Sequence, residues 1–182
     1  AIGGEHHLSY GFEFYRDDVN ASKTRLNIDT GAISERAPRF PDGSRMDAMA
    51  VYIADDWRHG RWDVNYGLRY SRFDISIPSQ GTTPGVSLKP DDLTGNVGIA
   101  FELSDDMRLV ANLGRGFRAP NIFDLGVFGP RPGNRFSTPN PDLAPEYVTS
   151  IDAGLKFGGE HFSGELIAFR SSYRDKITSV LT

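Results

Sequence analysis

The chain has 182 residues, a formal net charge of -4 and no cysteine, so it contains neither a disulfide framework nor a thiolate metal site. The mild acidity argues against nucleic acid as a partner, and no apolar run reaches the length of about 18 residues that a membrane-spanning helix needs. Glycine and aromatic residues are plentiful, which favours an all-β fold.

Seven stretches alternate apolar and polar residues with the period of two that is typical of β-strands. They cover residues 8–15, 46–57, 62–71, 93–103, 107–117, 147–157 and 162–173. In the clearest stretch, Trp62, Val64, Tyr66, Leu68 and Tyr70 share one face. The last stretch has an ambiguous facing, because Leu166 and Ile167 are adjacent and both apolar. The opposite face is predicted to contact water, because it carries the charged and amide residues Asp63, Asn65, Arg69, Asn96, Glu102, Asp152 and Lys156.

The connections between these strands alternate between long and very short ones. Short turns are predicted at 58–61, 104–106 and 158–161, and aromatic residues flank them, namely Trp57, Trp62, Phe101, Phe157 and Phe162. Aromatic girdles, with short turns on one side and long loops on the other, are typical of outer-membrane barrels. The predicted fold class is therefore all-β, a segment of a transmembrane antiparallel β-barrel with its short turns toward the periplasm.

The odd number of predicted strands, seven, indicates that this segment is part of a larger structure. Bacterial single-chain barrels have an even number of strands, from about eight upward, and open sheet edges are not tolerated in lipid. We therefore expect residues 1–182 to form part of a larger barrel. A soluble β-sandwich or solenoid with scattered surface aromatics is the alternative that the alternation leaves open.

The long Pro-rich segment from Gly114 to Glu146 joins the fifth and sixth strands and carries the candidate ligand-binding residues. These are Arg118, Arg131, Asn134 and Arg135. Arginine suits bidentate contact with carboxylate or phosphate, so one interpretation is a cationic rim for an anionic ligand. In the structural alternative, Arg118 pairs with loop carbonyls or with Glu146, and Arg131 and Arg135 are solvated.

Two boxes bound this segment and carry a family resemblance. The first box is Phe117, Arg118, Ala119 and Pro120, and the second is Asn140, Pro141, Asp142 and Leu143. Together with the Asp55-Asp56-Trp57, Gly67-Leu68-Arg69-Tyr70 and Tyr173-Arg174-Asp175-Lys176-Ile177 strand ends, they resemble the signature region of TonB-dependent outer-membrane receptors. Similar boxes are associated with haem receptors, but residues 121–139 lack the histidine that those receptors carry as an axial haem ligand.

The resemblance implies a 22-stranded barrel in the bacterial outer membrane, plugged by an N-terminal domain. It implies energised import of a scarce nutrient, most commonly iron as a siderophore or haem. The partners would be outer-membrane lipid, the small-molecule ligand and the TonB complex. We expect the plug domain and the TonB-contacting part to lie outside residues 1–182.

Other polar residues are interpreted as structural. His6 and His7 precede the first predicted strand, where a periplasmic turn is favoured over a metal site. The Asp55-Asp56 doublet lies at a predicted strand end, where the chemistry of the adjacent turn explains it. We expect no catalytic residue, no metal site and no cofactor other than the transported ligand. The competing functions are a passive porin or adhesin barrel segment and a soluble β-rich binding domain.

Overall fold

The computed structural model describes residues 3–81, 83–127, 129–131 and 135–178. In chain order its elements are β1 (Glu5–Val19), β2 (Lys23–Leu26), β3 (Ile33–Arg36), β4 (Ser44–His59), β5 (Trp62–Ile77), β6 (Val86–Leu88), β7 (Asp91–Ser104), β8 (Met107–Arg118), α1 (Ile122–Gly126), β9 (Gly129–Arg131), β10 (Arg135–Ser137), β11 (Glu146–Gly158) and β12 (Ser163–Arg174). Within these described residues, no helix has the length and apolar character needed to cross a membrane.

Seven long strands form one antiparallel sheet in the order β1-β4-β5-β7-β8-β11-β12, and β6 extends it beside β5. The predicted antiparallel, nearly all-β architecture is confirmed, as are the short turns that follow β4, β7 and β11. Most strands are longer than predicted. The largest extension at a single strand end is in β5, which continues past Ser71 to Ile77, because loop residues bury the additional apolar side chains.

Strand register divides the sheet into two chemically different faces. The face that we call the apolar face carries Leu8, Tyr10, Phe12, Met49, Val51, Ile53, Leu68, Leu93, Ile99, Leu113 and Ile151. The opposite face, which we call the polar face, carries Glu13, Asn65, Arg69, Asn96, Asn112, Asp152 and Lys156. Register also settles the ambiguous last strand. Leu166 lies opposite Leu155 and joins the apolar face, whereas Ile167 lies opposite Gly154 on the polar face.

The apolar face is largely uncovered. Tyr10 is 77% exposed and Ile53 is 50% exposed, although both lie in the middle of paired strands. Exposed apolar surface costs about 25 cal/mol per Å² in water, so a continuous face of this kind requires an apolar surrounding.

A cluster that we call the loop core holds the fully buried apolar side chains. It consists of Ile75, Ile77, Val86, Ile122 and Leu125, of which Ile75 and Leu125 are 0% exposed. Register places Ile75 and Ile77 on the same side of β5 as Arg69, so the loop core covers the loop end of the polar face. Parts of three long connections converge there, contributing Phe40, Val86 and Leu125.

One sequence-based assignment is wrong, because His6 and His7 lie within β1 and not before it. Asp55 lies within β4, inside the strand predicted over residues 46–57. Asp55 sits on the apolar face opposite Tyr66, where its Oδ2 atom is 2.6 Å from His6 Nδ1 and accepts a hydrogen bond from the Tyr66 hydroxyl at 2.7 Å. Both partners contact the Oδ2 atom, while the Oδ1 atom is buried without a hydrogen-bond partner among the described residues, so the carboxylate is satisfied at one oxygen.

Candidate ligand-binding site

The chain leaving β8 forms a short helix that sequence analysis did not predict. Asn121 caps α1, since its side-chain oxygen accepts a hydrogen bond from the Asp124 amide at 2.9 Å, and the Asp124 carboxylate accepts one from the Asn121 amide at 3.2 Å. This reciprocal arrangement is a capping box built from Asn and Asp. Ile122 and Leu125 on the helix pack into the loop core, so tertiary burial stabilises a helix too short to be stable alone.

Arg118, the last residue of β8, connects three parts of the chain. Its Nη1 atom is 2.9 Å from Asp124 Oδ2 in α1, and its Nε atom is 3.3 Å from Glu146 Oε2 at the start of β11. Glu146 Oε2 also accepts a hydrogen bond from the Ile177 amide at 3.4 Å. The predicted pairing of Arg118 with Glu146 is confirmed, and Asp124 is a partner that sequence analysis missed. We call these three side chains the Arg118 cluster.

The charge state of the Arg118 cluster follows from its surroundings. Partial burial opposes the charge of Arg118, but hydrogen bonds and Coulomb attraction from Asp124 and Glu146 outweigh it and raise the pKa of the guanidinium. Arg118 is therefore a cation at every physiological pH, with two carboxylates beside it.

The remaining box residues mostly pack against protein. Ala119 and Pro120 are buried, and the Phe117 ring lies 5.7 Å from that of Tyr147 and 6.0 Å from that of Phe73. In the second box, Asn140 accepts a hydrogen bond from the Asp142 amide at 3.1 Å, and Leu143 packs against the loop core. Both boxes thus contribute to the structure that connects the strand ends to the loop core.

The other candidate ligand residues lie farther along the same connection. Arg131 in β9 and Arg135 in β10 are paired across a two-stranded ribbon, so their backbones are neighbours, while Asn134 lies outside the described residues. A ligand-contacting role for these residues and for Arg118 stays a prediction.

A further cation in the loop region was missed by sequence analysis. The Arg39 guanidinium lies 5.8 Å from the centroid of the Phe123 ring, and that ring lies 6.2 Å from the ring of Phe40. The same connection also contacts the next one, because Gln80 Nε2 donates a hydrogen bond to the Pro38 carbonyl at 3.1 Å. No local signal in the sequence brings these residues together, since they come from separate connections.

Below the loop core, the polar face forms an open groove with a volume of about 630 Å³. Glu13, Tyr52, Arg69, Asn96 and Ser150 are among its lining residues, and Arg69 Nη2 is 2.6 Å from Glu13 Oε2. Gly67, Gly114 and Gly116 also line the groove. Because glycine has no side chain, the groove is deeper at these positions than at the polar side chains around them. Among the described residues, no group of three or more His, Cys, Asp or Glu side chains is placed to hold a metal ion.

An antiparallel sheet with one apolar face, one polar face, short turns at one end and packed loops at the other is the wall of a β-barrel membrane protein. Comparison with known proteins identifies the family. The family model described as TonB dependent receptor-like, beta-barrel, matches residues 1–182. The chain therefore belongs to the TonB-dependent receptor β-barrel family, whose members are outer-membrane barrels, and the predicted family and barrel fold are confirmed.

Individual relatives agree with this assignment. The vitamin B12 transporter BtuB of Photobacterium profundum is 28% identical over 148 residues, which are 81% of this chain and 18% of the relative. The copper transporter OprC superposes with a TM-score of 0.76 at 20% identity, over 94% of this chain and 28% of that one. The Serratia marcescens hemophore receptor HasR, in complex with its hemophore HasA and heme, superposes with a TM-score of 0.71 at 16% identity, over 95% of this chain and 31% of that one.

The chain thus spans less than a third of each of these relatives. The two superpositions establish a shared fold, and the three relatives are named for different cargoes. Family membership removes the basis for the porin, adhesin and soluble-domain alternatives.

Proposed function

We propose that this chain is part of an outer-membrane receptor that imports a scarce nutrient with energy supplied through TonB. An iron chelate, either a ferric siderophore or haem, is the first candidate for the cargo. The proposal rests on the two faces of the sheet. One face carries an apolar band with a limit at each end, and the opposite face is polar and is covered at one end by converging loops.

The limits of the apolar band support placement in a bilayer. On β4, the band is bounded at the loop end by Asp47, which pairs with Arg16 at 2.7 Å, and at the turn end by Trp57. A tilted strand needs about 9–11 residues to cross a bilayer, which matches this interval. Trp62 and Phe101, with ring centroids 4.5 Å apart, lie at the same turn end and suit the aromatic girdle of the inner interface.

The loop end is then exterior to the membrane, and the polar face lines the lumen. β5 continues beyond the band through Phe73, Ile75 and Ile77, so the loop core lies above the bilayer. In this arrangement, Arg131, Asn134 and Arg135 are ligand contacts at the exterior side, where arginine can bind the carboxylates or other anionic groups of an iron chelate.

Cobalamin is the second candidate for the cargo. The supporting observation is the 28% identity with a relative named as a vitamin B12 transporter, which covers most of this chain. Because the matched part is 18% of that relative, most of the relative has no counterpart in this chain.

Growth and uptake by a strain that lacks the complete gene test the proposal. The strain is grown with haem, ferric siderophores, cobalamin or copper as the limiting nutrient, with and without a functional TonB system. We expect a growth defect for one iron source, restored by the intact gene and only when TonB functions. Unimpaired growth on every nutrient would contradict import, and a defect limited to cobalamin would favour the second candidate.

A further inference from the structure

The segment that we call the shelf, residues 119–127, leaves the sheet at β8 and extends over the polar face. In the sheet, β7 lies between β8 and β5, and β4 is one strand farther. Yet α1 within the shelf contacts both β4 and β5. Since the loop core covers the polar face, the shelf crosses toward the lumen side and not toward the apolar side.

Packing at the far end of the shelf is close. A Cβ atom added at Gly126 would lie 3.0 Å from Ile77 Cδ1 and 3.7 Å from Pro41 Cδ. Ile122 and Leu125 are buried in the loop core. The far end of the shelf is therefore held by apolar contacts, and its direction is set at the near end.

Arg118 occupies the near end, where the chain turns away from β8. Its guanidinium pairs with Asp124 at 2.9 Å and with Glu146 at 3.3 Å, and both carboxylate side chains are only 16% exposed. A planar guanidinium has donors in a fixed fork that can hold two acceptors at defined angles. If Arg118 is replaced by a neutral residue, the two carboxylates remain close together without a cation and repel each other.

We propose that Arg118 is a positioning residue that holds the shelf over the lumen mouth and thereby places the ligand-contacting part of the same connection. This inference rests on the proposed receptor function. The connection continues from the shelf to the β9-β10 ribbon that carries Arg131 and Arg135, so the position of the shelf sets where that ribbon starts. Arg118 acts on the ligand through this placement, because its Nε and Nη1 atoms are already directed at Glu146 and Asp124.

Cross-linking of the complete receptor tests the position of the shelf. Residues 1–182 contain no cysteine, and the exposed side chains of Arg39 and Phe123 lie next to each other across the shelf boundary. The R39C/F123C pair, with each single variant as background, is treated with a short bifunctional thiol reagent. We expect efficient cross-linking with Arg118 present and about fivefold less with R118Q, because loss of a charged pair of this kind is worth about 1 kcal/mol.

Two further variants separate positioning from folding. R118K keeps the charge without the fork and is expected to fall between Arg118 and R118Q. R45Q removes an exposed arginine that pairs with Asp18 at 2.7 Å and serves as the matched control, with cross-linking unchanged. In uptake of the iron source that the growth test identifies, R118Q is expected to raise the half-saturating concentration of that iron source by about fivefold while the maximal rate per assembled receptor is retained.

Several results would overturn the proposal. Cross-linking of R118Q at the rate seen with Arg118 would show that Arg118 does not hold the shelf, and no cross-linking with Arg118 present would refute the shelf position. Loss of assembled, heat-resistant barrel in both R118Q and R118K would make Arg118 a folding residue. The cross-linking experiment does not depend on transport. Absence of TonB-dependent uptake would therefore contradict the receptor function, whereas cross-linking would still measure the position of the shelf.

Discussion

The sheet wall and the loop core of this chain bury apolar surface in opposite ways. On the wall, side chains such as Leu113 and Ile53 alternate regularly yet stay exposed, so their stabilisation must come from a surrounding medium. In the loop core, Ile75 and Leu125 are fully buried by protein although part of the sequence around them looks like irregular loop. The regular region therefore depends on an apolar surrounding, and the irregular region is held by internal packing.

The largest effect in our comparison is expected from L125A. Removing a fully buried leucine costs about 3 kcal/mol when the cavity cannot collapse, and the loss should be confined to the loop core. Limited proteolysis of the receptor on intact cells should show faster cleavage of the exterior loops. The heat-resistant migration of the barrel should be retained, and its loss would contradict the separation between loop core and wall.

A charged residue introduced on the apolar face tests the sheet, the second of the two regions compared. L113R places arginine on the apolar face, between Val97 and Ile151 on neighbouring strands, at a cost of about 2–4 kcal/mol if this position lies near the bilayer midplane. Urea unfolding of the receptor in phospholipid vesicles measures the change. N112R is the matched control, since the neighbouring side chain belongs to the polar face, and equal destabilisation by both would contradict the assignment of the two faces.

A smaller effect is expected at Asp55, a charged residue on the apolar face of the sheet. Y66F removes the hydroxyl that donates to Asp55 at 2.7 Å and should lower the free energy of unfolding by about 1 kcal/mol. Y70F provides a comparison, because the Tyr70 hydroxyl donates to the exposed Asp91 over 3.1 Å. If Y66F is no more destabilising than Y70F in the same vesicle assay, the buried carboxylate does not depend on Tyr66.

The smallest effect is expected for an exposed ion pair at the loop end. R45Q breaks the contact with Asp18, in which both side chains are about half exposed, and such pairs contribute about 0.5 kcal/mol or less. Neither the unfolding free energy in vesicles nor protease sensitivity should change measurably. A loss above about 1 kcal/mol would indicate that the loop end depends on surface charges as well as on the loop core.

The wall was predictable from sequence because its information is local. Alternation at positions such as Trp62, Val64 and Tyr66 identifies a strand and shows which side chains share a face, without reference to other parts of the chain. It also limits the registers with neighbouring strands to those that keep the apolar side chains on one face. The last strand was ambiguous because Leu166 and Ile167 are adjacent, and only pairing with Leu155 and Gly154 resolved the facing.

The loop core and the candidate site were predictable only in part. The Arg118 to Glu146 pair was one of two structural options, since both residues lie at predicted strand ends. Asp124 and α1 were missed because the cap is an Asn-to-Asp box on a helix of five residues, which has no apolar periodicity. Burial of Leu125 by Ile77 depends on residues far away in the chain, and no local pattern encodes that contact.

Shared packing also limits how such a receptor can diversify. Phe40, Val86 and Leu125 come from three separate connections but fill one interior. A connection exchanged for that of a relative would bring side chains that do not fit the other two. Changes of cargo by recombination should therefore succeed when the three connections are transferred together, or when substitutions are confined to the β9-β10 ribbon beyond the shelf.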